Sequence, residues 1–490
     1  MANSPATLHT GARLGLQNWF PPAGGSPVSV GRSWTVTPAV FFGASVYGIG
    51  LLALLVNSET PRDGIFLGLI LASSAAAACW AWLRRSFSVV IYAGSHVVFG
   101  IAPLLASVLH LNWETAPDVV SKSNLIVLAS IFCMCLGERC GDLVGSGRIG
   151  ERRPWSPSLV DTLFQTCTCL ALAGYGVMLW SMGTLVFTML TTNRMSLRLD
   201  TTGLLFNFGR WLTNLSMIAT YLGMARHRRL VPILFAIINC AAAGAFGDRS
   251  FVLYSLSGYL GYILTGRRRR RKALRRIALV GLVFVVGVIG LLHVFRWQQA
   301  RDFTHLGEVA SDVDTYRFIL FNRVSDLNIR YALYDAVELF PSSHDWLYGN
   351  TYRTMLLFWL PSSWSGGLKV DTMYHFNYAV TGDYMGSYVR LESKHPTLFG
   401  DMYINCGYFF WVSAFFWGLA IQHVSRAGSA PVLDLRGIFV RSAVAYALVL
   451  MLRGSIYQPF FSCMVVLFFL LLYRLVARRP LQPDQVAHAN

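Results

Sequence analysis

The chain has 490 residues, 54% of them hydrophobic and only 13% charged, with a mean hydropathy of +0.48. Soluble domains carry about 25% charged residues, so this composition excludes an ordinary soluble protein and indicates a polytopic membrane protein. The net charge of +17 is strongly basic, and its distribution assigns it to membrane topology and anionic lipid rather than to nucleic acid.

Residues 1–34 are rich in Gly, Pro and Ser and lack a charged start followed by an apolar core, so they read as a disordered cytoplasmic tail rather than a signal peptide. Apolar runs then follow near 38–57, 63–83, 87–109, 118–136, 159–180, 203–224, 229–246, 249–265 and 275–295. After a long polar connection, three more occur near 403–424, 436–453 and 457–476. Each is close to the ~17–25 residues a helix needs to cross a hydrocarbon core of ~30 Å. The expected fold is therefore all-α, with about twelve spans. It divides into a nine-span block over 35–296, a large loop or cap on one side of the membrane over 297–402, a three-span block over 403–478, and a tail over 479–490.

The tract Arg267-Arg268-Arg269-Arg270-Arg271-Lys272 sets the orientation. A basic cluster this dense between neighbouring spans belongs on the cytoplasmic side. Twelve alternating spans place Arg84–Arg85, Arg152–Arg153, Arg226 with Arg228 and Arg229, and Arg474 with Arg478 and Arg479 on that same side, along with both termini. The connection from 296 to 402 then lies outside. Residues 296–401 hold nine basic and twelve acidic residues, a net −3, which leaves +20 for the rest of the chain. A structureless loop of this length is improbable in a compact protein, so an ordered cap is expected. Within it, Asp314–Phe340 reads as an amphipathic helix with a polar, Arg-bearing stripe; a solvated face with pairs such as Asp326–Arg330 explains it equally well.

The nine cysteines form no Cys-x-x-Cys or Cys/His pattern at metal spacing, so neither a disulfide framework nor a structural metal is expected. Cys79, Cys133, Cys135, Cys167, Cys169, Cys240 and Cys463 lie within spans, where cysteine serves as small apolar filler. No cofactor is implied.

Arginines near the expected outer face carry the chemistry. Arg210 lies two turns inside the sixth span. Arg249 sits in the tight turn Gly247-Asp248-Arg249-Ser250, and Arg453 in Arg453-Gly454-Ser455. An arginine within a span is costly unless it lines a polar cavity, and guanidinium forks suit phosphate oxygens. Snorkelling or capping of span ends is the alternative for Arg249 and Arg453, and pairing with a buried carboxylate is the alternative for Arg210. Aromatic residues of the long loop, among them Tyr352 and Trp364, suit sugar rings as a set, although an interfacial belt accounts for any one of them. His395 and Asp401, just before the tenth span, are candidate bases for a hydroxyl nucleophile. Asp248 is another, unless it only pairs with Arg249.

Gly247-Asp248-Arg249, Asn322-Arg323, Tyr348-Gly349-Asn350-Thr351-Tyr352, Leu360-Pro361 with Trp364 and Lys369, and Pro396-Thr397 through Gly400-Asp401 to Tyr403 and Gly407 together resemble the Wzy-type polymerases of O-antigen and other oligosaccharide repeat units. The similarity covers roughly 240–425 in sequence and the remainder in architecture. Ser362 stands where that family often has an arginine after the loop proline. The resemblance implies a GT-C-like glycosyltransferase in a bacterial inner membrane, with its active site facing the periplasm. Its substrates would be undecaprenyl-diphosphate-linked oligosaccharides, and a chain-length regulator of the same pathway would be a protein partner. Arg210, Arg249 and Arg453 would clamp diphosphate, Arg323, Arg353 and Arg390 would hold phosphate or sugar, and His395 or Asp401 would orient the nucleophile. An O-antigen ligase, which transfers the glycan to lipid A-core, needs the same clamp. A lipid-linked oligosaccharide flippase would instead place its polar groups near the midplane, often with paired repeats. A sugar acyltransferase is weakened by the lack of a clear nucleophile.

Overall fold

The computed structural model describes residues 61–108, 115–144, 155–183, 203–226, 228, 230–246, 250–265, 328–360, 364–369, 372–382, 395–428, 435–454 and 456–477. Among these residues every regular element is helical. Seven helices are long and apolar enough to cross a membrane, and two shorter apolar helices accompany them. The expected spans at 38–57 and 275–295, the arginine tract and both chain ends lie outside the described residues.

α1 (Pro61–Arg84) is followed by α2, which runs as Val89–Ser95, a π-helical turn at His96–Ile101, and Ala102–Val108. α3 (Pro117–Val144) packs on α1. α4 (Pro157–Met182) starts from a Ser156 hydroxyl that accepts from the Leu159 N–H, with Pro157 in the first turn, as a helix start favours. The expected sixth span is two ten-residue helices, α5 (Leu204–Thr213) and α6 (Ser216–Ala225). Between them the N–H groups of Asn214 and Leu215 reach back three residues, to Trp211 and Leu212. That tightened turn follows Arg210 in the chain, and such stretches mark strain or a hinge. α7 (Leu230–Phe246) and α8 (Ser250–Thr265) complete this group.

Beyond the long connection come three short cap helices: α9 (Arg330–Leu339), α10 (Asn350–Leu356) and α11 (Thr372–Thr381). α12 (Thr397–Cys406) is buried over nine consecutive residues. It ends at Gly407, whose φ of +57° suits glycine. A Cβ at that position would also come within 3.2 Å of the Trp346 ring. α13 (Phe410–Gly428) then continues into the bundle. The expected span starting at 403 thus begins earlier, at Thr397, with a break in direction. α14 runs as Leu435–Phe439, a π-helical turn at Val440–Val444, and Ala445–Arg453, and α15 (Tyr457–Ala477) follows.

α14 is the central helix. It touches α2, α6, α8, α12, α13 and α15, and 72% of its span is buried against 22% for α15. Its π-helical turn has a specific cause. The Ser257 hydroxyl of α8 accepts from Tyr446 N–H at 3.0 Å and donates to the Ser442 carbonyl. It is inserted where an α-helix would join those two groups directly, a recognised cause of helix distortion. One turn along α8, Gly261 lets the two backbones touch. Ser257→Ala leaves both groups without their bridge and is expected to cost about 1–3 kcal/mol, whereas Ser257→Thr keeps the bridging hydroxyl. Unfolding of the detergent-solubilised protein measures the difference, and equal stability of the two variants would refute the bridge.

The end opposite the cap is held by charge. Asp142 of α3 accepts from Arg84 of α1, from Gln422 Nε2 at 2.5 Å, and from Arg426 Nη2 of α13 at 3.2 Å. Asp161 of α4 pairs with Arg226 of α6. Nearby, Glu138 accepts three hydroxyl hydrogen bonds, from Tyr92 at 2.6 Å, Ser88 at 3.0 Å and Ser86 at 3.2 Å, as a buried carboxylate requires. Arg84, Arg226, Arg426 and Arg474 all sit in or just beyond the last turn of a helix at this end, where they oppose the helix dipole.

Candidate functional site

The cap is fastened to the bundle by a buried polar knot. Asp401 and Asn405 lie one turn apart on the same face of α12, and both meet Thr351 of α10. The Asp401 carboxylate accepts from the Thr351 hydroxyl at 2.8 Å, and Asn405 Nδ2 donates to that same oxygen at 3.0 Å. Asn405 Oδ1 accepts from Thr351 N–H at 3.1 Å, and Thr372 of α11 joins through its hydroxyl. The N–H groups of Leu347 and Gly349 bond the last carbonyls of α12, those of Ile404 and Asn405, which are orphaned at any helix end. Asp401 is 1% exposed, and its carboxylate is engaged in this knot.

Tyr352 also turns inward. Its hydroxyl lies 2.5 Å from the Ser413 hydroxyl of α13, and burial, together with the Asp401 charge, raises its pKa. Trp346 stands edge-on to Tyr403, with ring centres 4.8 Å apart, and near Tyr408; the Lys122 ammonium lies over both tyrosines.

The first turn of α15 is the meeting point of the arginine-bearing segments. Arg453 closes α14, and Gly454 turns the chain toward α15 at φ +101°. That turn is pressed onto the start of α12 so closely that a Cβ on Gly454 would lie 2.2 Å from Thr397 N. Thr397 itself holds φ +66°, a strained setting for a β-branched residue, with its hydroxyl accepting from Gly400 N–H at 3.1 Å. His395, two residues earlier and half-buried, is thereby brought beside the Arg453 turn. On another side, Trp211, adjacent to Arg210, packs against Phe461 with ring centres 5.8 Å apart. From the cap, Phe358 meets Phe460 edge-on at 5.4 Å, and α10, which carries Arg353, packs on α15.

Arg210, Arg353, Arg453 and His395 therefore sit on four segments gathered around one helix start. Arg353 is exposed and donates to Asn350 Oδ1 at 2.6 Å. Trp364 is exposed on the cap. Asp248, Arg249, Arg323 and Arg390 lie outside the described residues.

His375 escaped the sequence reading, and Arg330 was read there only as part of a polar stripe. His375 of α11 lies close enough to Arg353 for that charge to act on it; partial burial first, and then the guanidinium, lower its pKa, so the neutral imidazole is favoured. Arg330 is 3% exposed, with its guanidinium 4.9 Å above the Tyr331 ring and Nη2 donating to the Tyr331 hydroxyl at 3.3 Å. The polar stripe expected over Asp314–Phe340 therefore turns inward at Arg330. Spacing alone could not indicate the direction of that face. Comparison with protein-family models, with curated proteins and with solved structures finds no match.

Proposed function

We propose that this chain is a glycosyltransferase that joins lipid-linked oligosaccharide repeat units on the outer side of a bacterial inner membrane. What supports this reading is that the segments bearing Arg210, Arg353 and Arg453 meet at the start of α15, opposite the basic end of the bundle. Under the positive-inside rule the basic end is cytoplasmic and the gathered arginines face the periplasm.

In the proposed reaction, a hydroxyl of the incoming lipid-linked repeat unit attacks the anomeric carbon of a glycan carried on undecaprenyl diphosphate. A new C–O bond forms and the bond to diphosphate breaks, with the electron pair leaving on phosphate. The charge that develops there is met by pre-placed guanidinium groups. Arg210 and Arg453, with Arg249, hold the diphosphate. Arg353, with Arg323 and Arg390, holds phosphate or sugar. His395, beside the Arg453 turn, takes the hydroxyl proton. Asp401 acts at a distance, holding α10 and its Arg353 in place.

Purified protein in vesicles with lipid-linked repeat units tests this reading. Glycans longer than one unit support it, unchanged units reject it, and units moved unaltered across the vesicle indicate a carrier. In cells, loss of the gene should leave lipopolysaccharide capped with a single repeat. Bare core would assign the ligase reaction instead.

A further inference from the structure

The last residue of α10 and the described residues that follow it, 357–360 and 364–369, present an apolar outer surface to which the reaction proposed above gives no role. Leu356, Trp359, Trp364 and Leu368 are 76%, 68%, 76% and 51% exposed. Four large apolar side chains uncovered along a dozen residues cost solvation unless something covers them.

The fold indicates what that something is. Phe358, between Leu356 and Trp359, is stacked edge-on against Phe460 in the first turn of α15. α15 is the least buried of the candidate spans, and Phe468, Leu471 and Leu475 along it are exposed as a lipid-facing helix requires. A segment fixed to the first turn of such a helix lies at the depth where hydrocarbon gives way to headgroups.

The polar groups of the segment are also prepared for that depth. Lys369 Nζ donates to the Phe358 carbonyl at 3.1 Å and the Leu360 carbonyl at 3.0 Å. This satisfies two backbone acceptors that would be expensive to bring uncovered toward hydrocarbon. Two indole rings at such a boundary match the residue type that membrane interfaces favour. A sugar platform would use Trp359 and Trp364 but gives no role to Leu356 and Leu368, since aliphatic side chains do not stack on sugar rings.

We infer that the cap segment carrying Leu356, Trp359, Trp364 and Leu368 inserts into the headgroup–acyl boundary of the leaflet beside α15 and anchors the cap to the membrane surface. The inference rests on exposure and on the Phe358–Phe460 contact, and holds whatever reaction the protein performs.

The test places a dansyl-bearing amino acid at position 359 or 364, or at the exposed polar Ser342 as a control, in the full chain reconstituted in phosphatidylethanolamine–phosphatidylglycerol vesicles. At 359 and 364 the emission should shift to the blue and lose intensity with brominated lipids. The loss should be larger for bromine near the headgroup than deep in the acyl chain, and aqueous iodide should quench weakly. The Ser342 probe should show the reverse. Water-like emission at 359 and 364, quenched by iodide and untouched by brominated lipid, would overturn the inference. So would blue-shifted emission that no lipid quencher reaches, which would mean that protein covers the segment.

Discussion

Arg453→Ala is expected to lower glycan elongation about 100-fold or more, the loss typical when one pre-placed donor to a developing oxyanion is removed. The position favours a large effect. Arg453 ends the most buried span, and the following Gly454 is locked against Thr397 by a contact that leaves no room for a Cβ. The arginine therefore projects from a rigid corner, and electrostatic stabilisation depends on charge that is already in place before reaction. Arg453→Lys keeps the charge but loses the two-pronged geometry, so an intermediate rate is expected. Elongation of lipid-linked units by purified variants provides the measurement, with thermal unfolding alongside to show that the fold survives. Full activity of Arg453→Ala would remove this residue from the site and with it the clamp as drawn.

Gly137→Ala and Gly418→Ala are each expected to destabilise the bundle by about 3 kcal/mol or more, the upper end of the overpacking range or beyond it. A Cβ on Gly137 of α3 would lie 2.0 Å from the Phe415 carbonyl oxygen of α13, and one on Gly418 of α13 would lie 2.0 Å from the Met134 carbonyl oxygen of α3. Both obstacles are backbone, so no rotamer change relieves them and the helices must separate along their length. Close approach of this kind is a main source of helix association where lipid competes equally well for apolar side chains. Gly176→Ala in α4 is the control. Nothing lies within 4 Å of its added Cβ, so it should be neutral or gain up to about 1 kcal/mol from helix propensity. The double variant should cost less than the two singles together, because the first methyl already opens the interface that the second would clash with. Denaturant unfolding in detergent measures all four; near-native stability of Gly137→Ala would contradict the packing of α3 on α13.

The site was partly legible before any coordinates. Arg210, Arg453 and His395 stood out because charge near a span end is unusual, and the segments that carry them meet around one helix start. Asp401 stood out for the same reason, yet its carboxylate faces Thr351, fifty residues away in sequence. The Arg330 stripe was visible as a period, but its direction was not. Periodicity shows that residues share a face; only the neighbouring elements decide whether that face meets water or protein.

The sequence by itself determined that this is a helical membrane chain and where most of its helices run, because the bilayer imposes a nearly fixed length of apolar residues on any segment that crosses it. The spacing of arginines also distinguished the two ends of the bundle. Tertiary structure alone decided that α14 is central, that Ser257 bridges its π-helical turn, that α12 is buried over nine consecutive residues, and which arginine-bearing segments meet at the start of α15. In lipid, apolar side chains do not tell a helix which face to turn toward its neighbours; that choice rests on glycine contacts and single hydrogen bonds between residues far apart in the chain.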